Sequence, residues 1–156
     1  AHLLLKVPTR ILLRITTFKV RDFPKLYQKM AGLNWGKFLS HPEPLFEASC
    51  RQSRLLHTGK VEETARKALE EGLRRRPLRR DWEKKGYGPQ KLFIRIHDDQ
   101  LTLSLDLSGD PLYKRGLSKI KGEAPLRENY ASALLLDLLD GLEEEVTLLD
   151  PMCGSG

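Results

Sequence analysis

Asp150-Pro151-Met152-Cys153-Gly154-Ser155-Gly156 is the stretch whose residue types and spacing point most directly to chemistry. It follows Val146-Thr147-Leu148-Leu149, a short apolar run of the kind that forms a buried parallel strand. A strand that runs into a small-residue loop is how open α/β sheets make room for a cofactor at their carboxyl edge. Gly154 and Gly156 suit that role, because a Cβ would hold a ligand away from the backbone. A nicotinamide reading is weak, since the loop lacks the third glycine at the usual spacing.

A second set of candidate residues is electrostatic. The 156 residues carry a formal charge of +6. Between Arg51 and Lys91 there are thirteen Lys or Arg against six Asp or Glu, a local +7 that leaves the remainder at −1. A concentrated basic segment is the footprint of a polyanionic partner. Lys and Arg neutralise phosphates by releasing counterions. The expected nucleic-acid contacts are Arg51, Arg54, Lys60, Arg74, Arg75, Arg76, Arg79 and Arg80, with Lys114 and Arg115 further on. The bland account of Arg74 to Arg76 is charge complementarity at a helix end. It does not extend to Arg79, Arg80, Lys84 and Lys85, which lie past Pro77.

The remaining chemistry is sparse. Cys50 and Cys153 form no Cys-x-x-Cys pair and read as free thiols in a reducing cytoplasm. The four histidines lack metal-ligand spacing, and no apolar run approaches the length that spans a bilayer. Apolar content of 40% with 31% charged residues describes a soluble globular chain.

The elements that must position these residues follow from pattern. Leu3 to Val7 and Ile11 to Val20 read as strands, the second with one buried face. Asp22 is the expected cap of a helix from Phe23 to Met30, with Pro24 in its first turn and Gly32 as its stop. Asn34 to Leu39 reads as a short helical turn whose aromatics anchor a core. Leu45 to Cys50 reads as a strand, and Val61 to Arg75 as a helix with Glu62 and Glu63 in its first turn. Lys91 to His97, an Asp98-Asp99 turn and the strictly alternating Gln100 to Leu107 form a hairpin. A long helix from Leu126 to Leu139 follows, and Leu134, Leu135, Leu138 and Leu139 are expected in a core.

Three segments carry a resemblance to a known family. Leu105-Asp106-Leu107-Ser108-Gly109-Asp110-Pro111-Leu112-Tyr113-Lys114-Arg115-Gly116 is similar to a Leu-Asp-x-Ser-Gly-x-x-Leu-x-x-Arg-Gly signature. Ala124-Pro125-Leu126-Arg127-Glu128 resembles the start of the following helix, and Leu149 to Gly156 resembles the first cofactor motif. In that order they resemble the THUMP-domain RNA methyltransferases, most closely the bacterial type that methylates a guanine amine in 23S ribosomal RNA.

The resemblance implies an α+β fold in three parts. Residues 1–44 would be a ferredoxin-like remnant, 45–110 a THUMP RNA-binding core, and 111–156 the first helix and strand of a Rossmann-like methyltransferase domain. It further implies S-adenosylmethionine as cofactor, ribosomal RNA as partner, a cytoplasmic protein and no membrane. The cofactor loop it implies is Asp150, Pro151, Cys153, Gly154 and Gly156, and the helix start would lie against the methionine end of the cofactor. The family's catalytic Asn-Pro-Pro-aromatic motif is expected beyond Gly156. The chain therefore reads as the front of an enzyme, inactive by itself. The alternatives are a tRNA or DNA methyltransferase fragment, or a non-catalytic RNA-binding module; the sequence leaves the oligomeric state open.

Overall fold

The computed structural model describes residues 7–78, 88–109, 111–112, 126–141, 146–147 and 149–151. Two compact units divide the chain: one is Leu12–Gly109, the other Ala1–Ile11 with Asp110–Gly156.

The first unit is a four-stranded sheet with two helices on one face. Its strands are β1 (Leu12–Lys19), β2 (Leu45–Arg51), β3 (Lys91–His97) and β4 (Gln100–Asp106). They lie in the order β1-β4-β3-β2. β4 pairs antiparallel with both β1 and β3, and β2 runs parallel to β3. The parallel pair needs a long crossover, and the helix α2 (Thr58–Arg75) supplies it. The β3–β4 connection is tight. Asp98 and Asp99 have φ of 49° and 59°, the positive values a two-residue hairpin turn requires.

Side chains alternate across a strand, so the pairing register sorts them by face. Leu92, Ile94 and Ile96 of β3 and Leu101, Leu103 and Leu105 of β4 point to the helices and are buried. The helix α1 (Phe23–Ala31) closes this core with Leu26 and Met30, and α2 with Val61, Ala65, Ala68 and Leu69. Asp22 caps α1 as expected, its Oδ1 accepting from Lys25 N at 2.7 Å. Gly32 ends α1 with a right-handed φ of −77°, so no left-handed cap is used there. Trp35, in a single 3-10 turn at Trp35–Lys37, is a core anchor, and its Nε1 donates to Met30 O at 3.1 Å.

Three expectations change. First, α2 begins at Thr58 rather than Val61, so no acidic residue lies in its first turn. Glu62 instead reaches the sheet, where its Oε1 accepts from Ala48 N at 2.8 Å on the edge strand β2. That bond covers a backbone donor that an edge strand leaves open. Second, β1 and α1 share a sheet and a core with β2–β4, so no compact unit ends at residue 44.

The third change concerns the second unit, which holds the helix α3 (Glu128–Leu139). The sequence places its leucines in a core, but Leu134, Leu136 and Leu138 are exposed by 62%, 63% and 59%, and Leu135 and Leu139 are exposed as well. The expected strand at 146–149 is not formed among the described residues, and Leu149 is 84% exposed. The reason is shared. A parallel strand and an apolar helix are stable only when each covers the other. Among the described residues no sheet is formed in this unit. Of the expected strand at 3–7, only Val7 lies within the described residues, and it is in no strand.

Candidate nucleic-acid interface and cofactor loop

The basic residues singled out from sequence are not gathered onto one surface. Arg51 ends β2 and pairs in register with His97, on the sheet face turned away from the helices. Arg54 sits in the loop after β2, where Asp99 organises the backbone. Asp99 Oδ1 accepts from Arg54 N at 2.9 Å and from Ser53 Oγ at 3.3 Å, and Oδ2 accepts from Arg21 Nε at 3.0 Å. These donors, the Arg54 amide first, hold the Asp99 carboxyl below its ordinary range. Lys60 is in the first turn of α2, its Nζ 4.7 Å from the centre of the Phe23 ring.

Arg74 and Arg75 end α2 and share one carboxylate. Glu71 lies 3.3 Å from Arg74 and 2.9 Å from Arg75. Both guanidiniums stay more than half exposed, so these pairs contribute little to stability, but they offset part of the local positive field. Arg75 and Arg76 border a shallow groove with Ala31, Gly32, Leu33 and Gly72. The helix that carries Arg74 and Arg75 packs on the face of the sheet opposite Arg51. The described members of this set are thus divided between the sheet face and the helical layer. Proximity along the chain puts Arg51 and Arg74–Arg76 in one segment, and the strand-to-helix crossover sends them to different layers. Arg79, Arg80, Lys114 and Arg115 lie outside the described residues.

Sequence reading missed the charges of β1 and β3. Lys19 and Arg95 fall outside or between the basic runs, yet register sets both on the Arg51 face. The alternation of polar positions in β1 and β3 was the available signal.

Of the cofactor loop, Asp150 and Pro151 are described, and both are exposed at a turn. Cys153, Gly154 and Gly156 lie outside the described residues. At the start of α3, Asn129 Nδ2 donates to Thr9 Oγ1 at 3.1 Å, while Asn129 Oδ1 is buried without a hydrogen bond. An unsatisfied buried acceptor is costly and suits a ligand donor. Cys50 points to the core side, and burial, with Glu62 nearby, pushes its thiol up, which makes it a poor nucleophile. Among the described residues there is no group of three or more His, Cys, Asp or Glu placed to hold a metal ion. Nor is any described helix long and apolar enough to cross a membrane.

Comparison with known proteins gives these features a setting. The family model described as UPF0020: RMKL-like, methyltransferase domain matches residues 115–156. Over 97% of its length the chain is 31% identical to the ribosomal RNA large subunit methyltransferase K/L of Photobacterium profundum, covering 21% of that protein. Its fold matches the crystal structure of a predicted N6-adenine-specific DNA methylase from Listeria monocytogenes with a TM-score of 0.69. The two are 27% identical, and the match covers 86% of this chain and 36% of that one. SMU.472, a candidate methyltransferase complexed with SAH, matches with a TM-score of 0.64 and 26% identity, over 81% of this chain and 34% of that one. The chain spans from 21% to 40% of the length of the curated relatives it matches. The mixed α/β chain is thus similar in fold to methyltransferases, and its residues 115–156 carry a methyltransferase-domain match.

Proposed function

We propose that this chain is the RNA-holding N-terminal part of an S-adenosylmethionine-dependent methyltransferase that modifies a guanine in 23S ribosomal RNA. The observation that supports the reading most is the methyltransferase-domain match at residues 115–156, joined in one chain to a four-stranded unit with a basic surface. In this reading a THUMP core at residues 45–110 lies, save for its last residue, within that unit, and the protein works in the cytoplasm.

The residues present fit the cofactor. Asn129 Oδ1 is an unpaired acceptor suited to the ammonium of a methionine moiety, at the helix start where the family resemblance puts that end of the ligand. Asp150 and Pro151, with Cys153, Gly154 and Gly156, would hold the remainder. S-adenosylmethionine supplies the methyl group on its sulfonium. The exocyclic amine of guanine is a weak nucleophile, so the protein's share is positioning, with the base drawn out of its stack and the amine held in line with the methyl. The residues of this chain contribute by fixing the RNA backbone, through lysines and arginines. The reacting groups lie elsewhere in the whole protein.

The test is methyl transfer by the whole protein from radiolabelled S-adenosylmethionine to 23S rRNA, to tRNA and to duplex DNA, followed by mass spectrometry of digested nucleosides. The reading expects label in N2-methylguanosine from 23S rRNA. Label confined to tRNA or to adenine in DNA overturns it.

A further inference from the structure

The face of the sheet turned away from α1 and α2 carries two polar rows that cross all four strands. Register aligns Lys19, Gln100, His97 and Arg51 in one row, from β1 through β4 and β3 to β2. The next row is Thr17, Thr102, Arg95 and Ser49. All but Thr102 are exposed. Neither row contains a carboxylate. The acidic groups nearest in sequence or register are already engaged. Asp98 faces His97 at 3.2 Å, Asp99 binds Arg21, and Glu47, one row further on, pairs with Lys91. Among the described residues, neither Lys19 nor Arg51 nor Arg95 has a carboxylate within ion-pair distance. Arg95 instead lies 6.0 Å from the centre of the Phe93 ring.

Two magnitudes identify the partner. Lys19 and Arg51 stand at opposite ends of a row three strand spacings wide, about 14 Å. One phosphate cannot meet both, so the surface fits a polyanion rather than a mononucleotide. Phe93 is the aromatic in the adjoining row, but it is only 8% exposed. Apart from His97, whose Nδ1 lies 3.2 Å from Asp98, the two rows therefore offer no ring for base stacking. They offer cations, hydroxyls and an amide, the groups that meet phosphates and 2′-hydroxyls.

We infer that the Lys19–Arg51 and Thr17–Ser49 rows form a docking surface for the ribose-phosphate backbone of folded RNA. The inference rests on the RNA-modifying reading only for its choice of partner. It differs from the cluster at Arg74–Arg76, which lies in the helical layer and shares its charge with Glu71.

The experiment measures binding of the whole protein to a fluorescent RNA stem–loop over a range of salt concentrations. The variants are Lys19→Glu/Arg95→Glu and, as a milder pair, Lys19→Gln/Arg95→Gln, each checked by circular dichroism. Arg74→Glu/Arg75→Glu reports on the helix end. The inference expects at least a tenfold loss of affinity for the sheet-face reversal. It also expects a shallower dependence of log Kd on log salt, by about 1 for each lost phosphate contact. The glutamine pair should lose affinity in the same direction, and polyglutamate should not compete with the RNA. Unchanged affinity and slope in a folded glutamine pair overturns the surface. Effective competition by polyglutamate overturns the choice of RNA. Wild type that binds RNA through this face yet transfers no methyl group overturns the methyltransferase reading and leaves the surface standing.

Discussion

Gly72 shows how much one missing methyl group can decide. A Cβ there would stand 2.8 Å from Trp35 Cδ1, 2.9 Å from its Nε1 and 3.2 Å from the Ala31 carbonyl oxygen. Trp35 cannot retreat cheaply, because it is 1% exposed and its indole N–H is tied to Met30. Alanine gains roughly 0.5–1 kcal/mol over glycine within a helix. Overpacking in a dense core costs about 1–3 kcal/mol. Gly72→Ala should therefore lower the melting temperature despite improving helix propensity. A rise in melting temperature on thermal denaturation would contradict this account of the α1–α2 contact.

Asp99 ties three elements together. Its carboxylate holds the Ser53–Arg54 loop and Arg21, and its carbonyl accepts from Val20 N at 2.7 Å. The folded state lowers its pKa. A group lowered in this way gives stability that is present in full above its unfolded value, about 3.9. That stability is lost as pH falls through the lower folded value. Stability of the wild type should fall with pH below about 4, and Asp99→Asn should flatten that part of the profile. Urea unfolding midpoints from pH 3 to 7, about the window of carboxylate titration, check it; parallel profiles for the two proteins would count against the assignment. Asparagine also tolerates the positive φ of 59° at this position, so the comparison isolates charge.

At the scale of the molecule, the two units differ in how they bury apolar surface. The Leu12–Gly109 unit closes around one core of sheet and helices. α3 is apolar, yet its Leu134 and Leu138 are exposed by 62% and 59%. Replacing both with glutamine in this chain should shift the unfolding free energy of the sheet unit by less than about 0.5 kcal/mol, the usual range for surface changes. Sedimentation should show less self-association, because exposed leucines in number are a contact surface. A drop in stability as large as that of a core substitution would mean that the α3 leucines are buried after all.

Much of this architecture was legible in the residues. The alternation of Leu101, Leu103 and Leu105, the Asp98-Asp99 turn and the Asp22 cap are local signals, and local geometry honours them. The loop proposed to hold the cofactor lies within residues 115–156, the stretch that the methyltransferase-domain model matches. Strand pairing was decided only by the tertiary structure. Register carried Lys19, Arg95 and Arg51 onto one face although seventy-six residues separate the first from the second. The crossover sent the Arg74–Arg75 pair to the other layer, beside Glu71. Period and capping belong to neighbours along the chain, so sequence determines them. Which charges share a surface depends on which strands pair, and that is a property of contacts far apart in the chain.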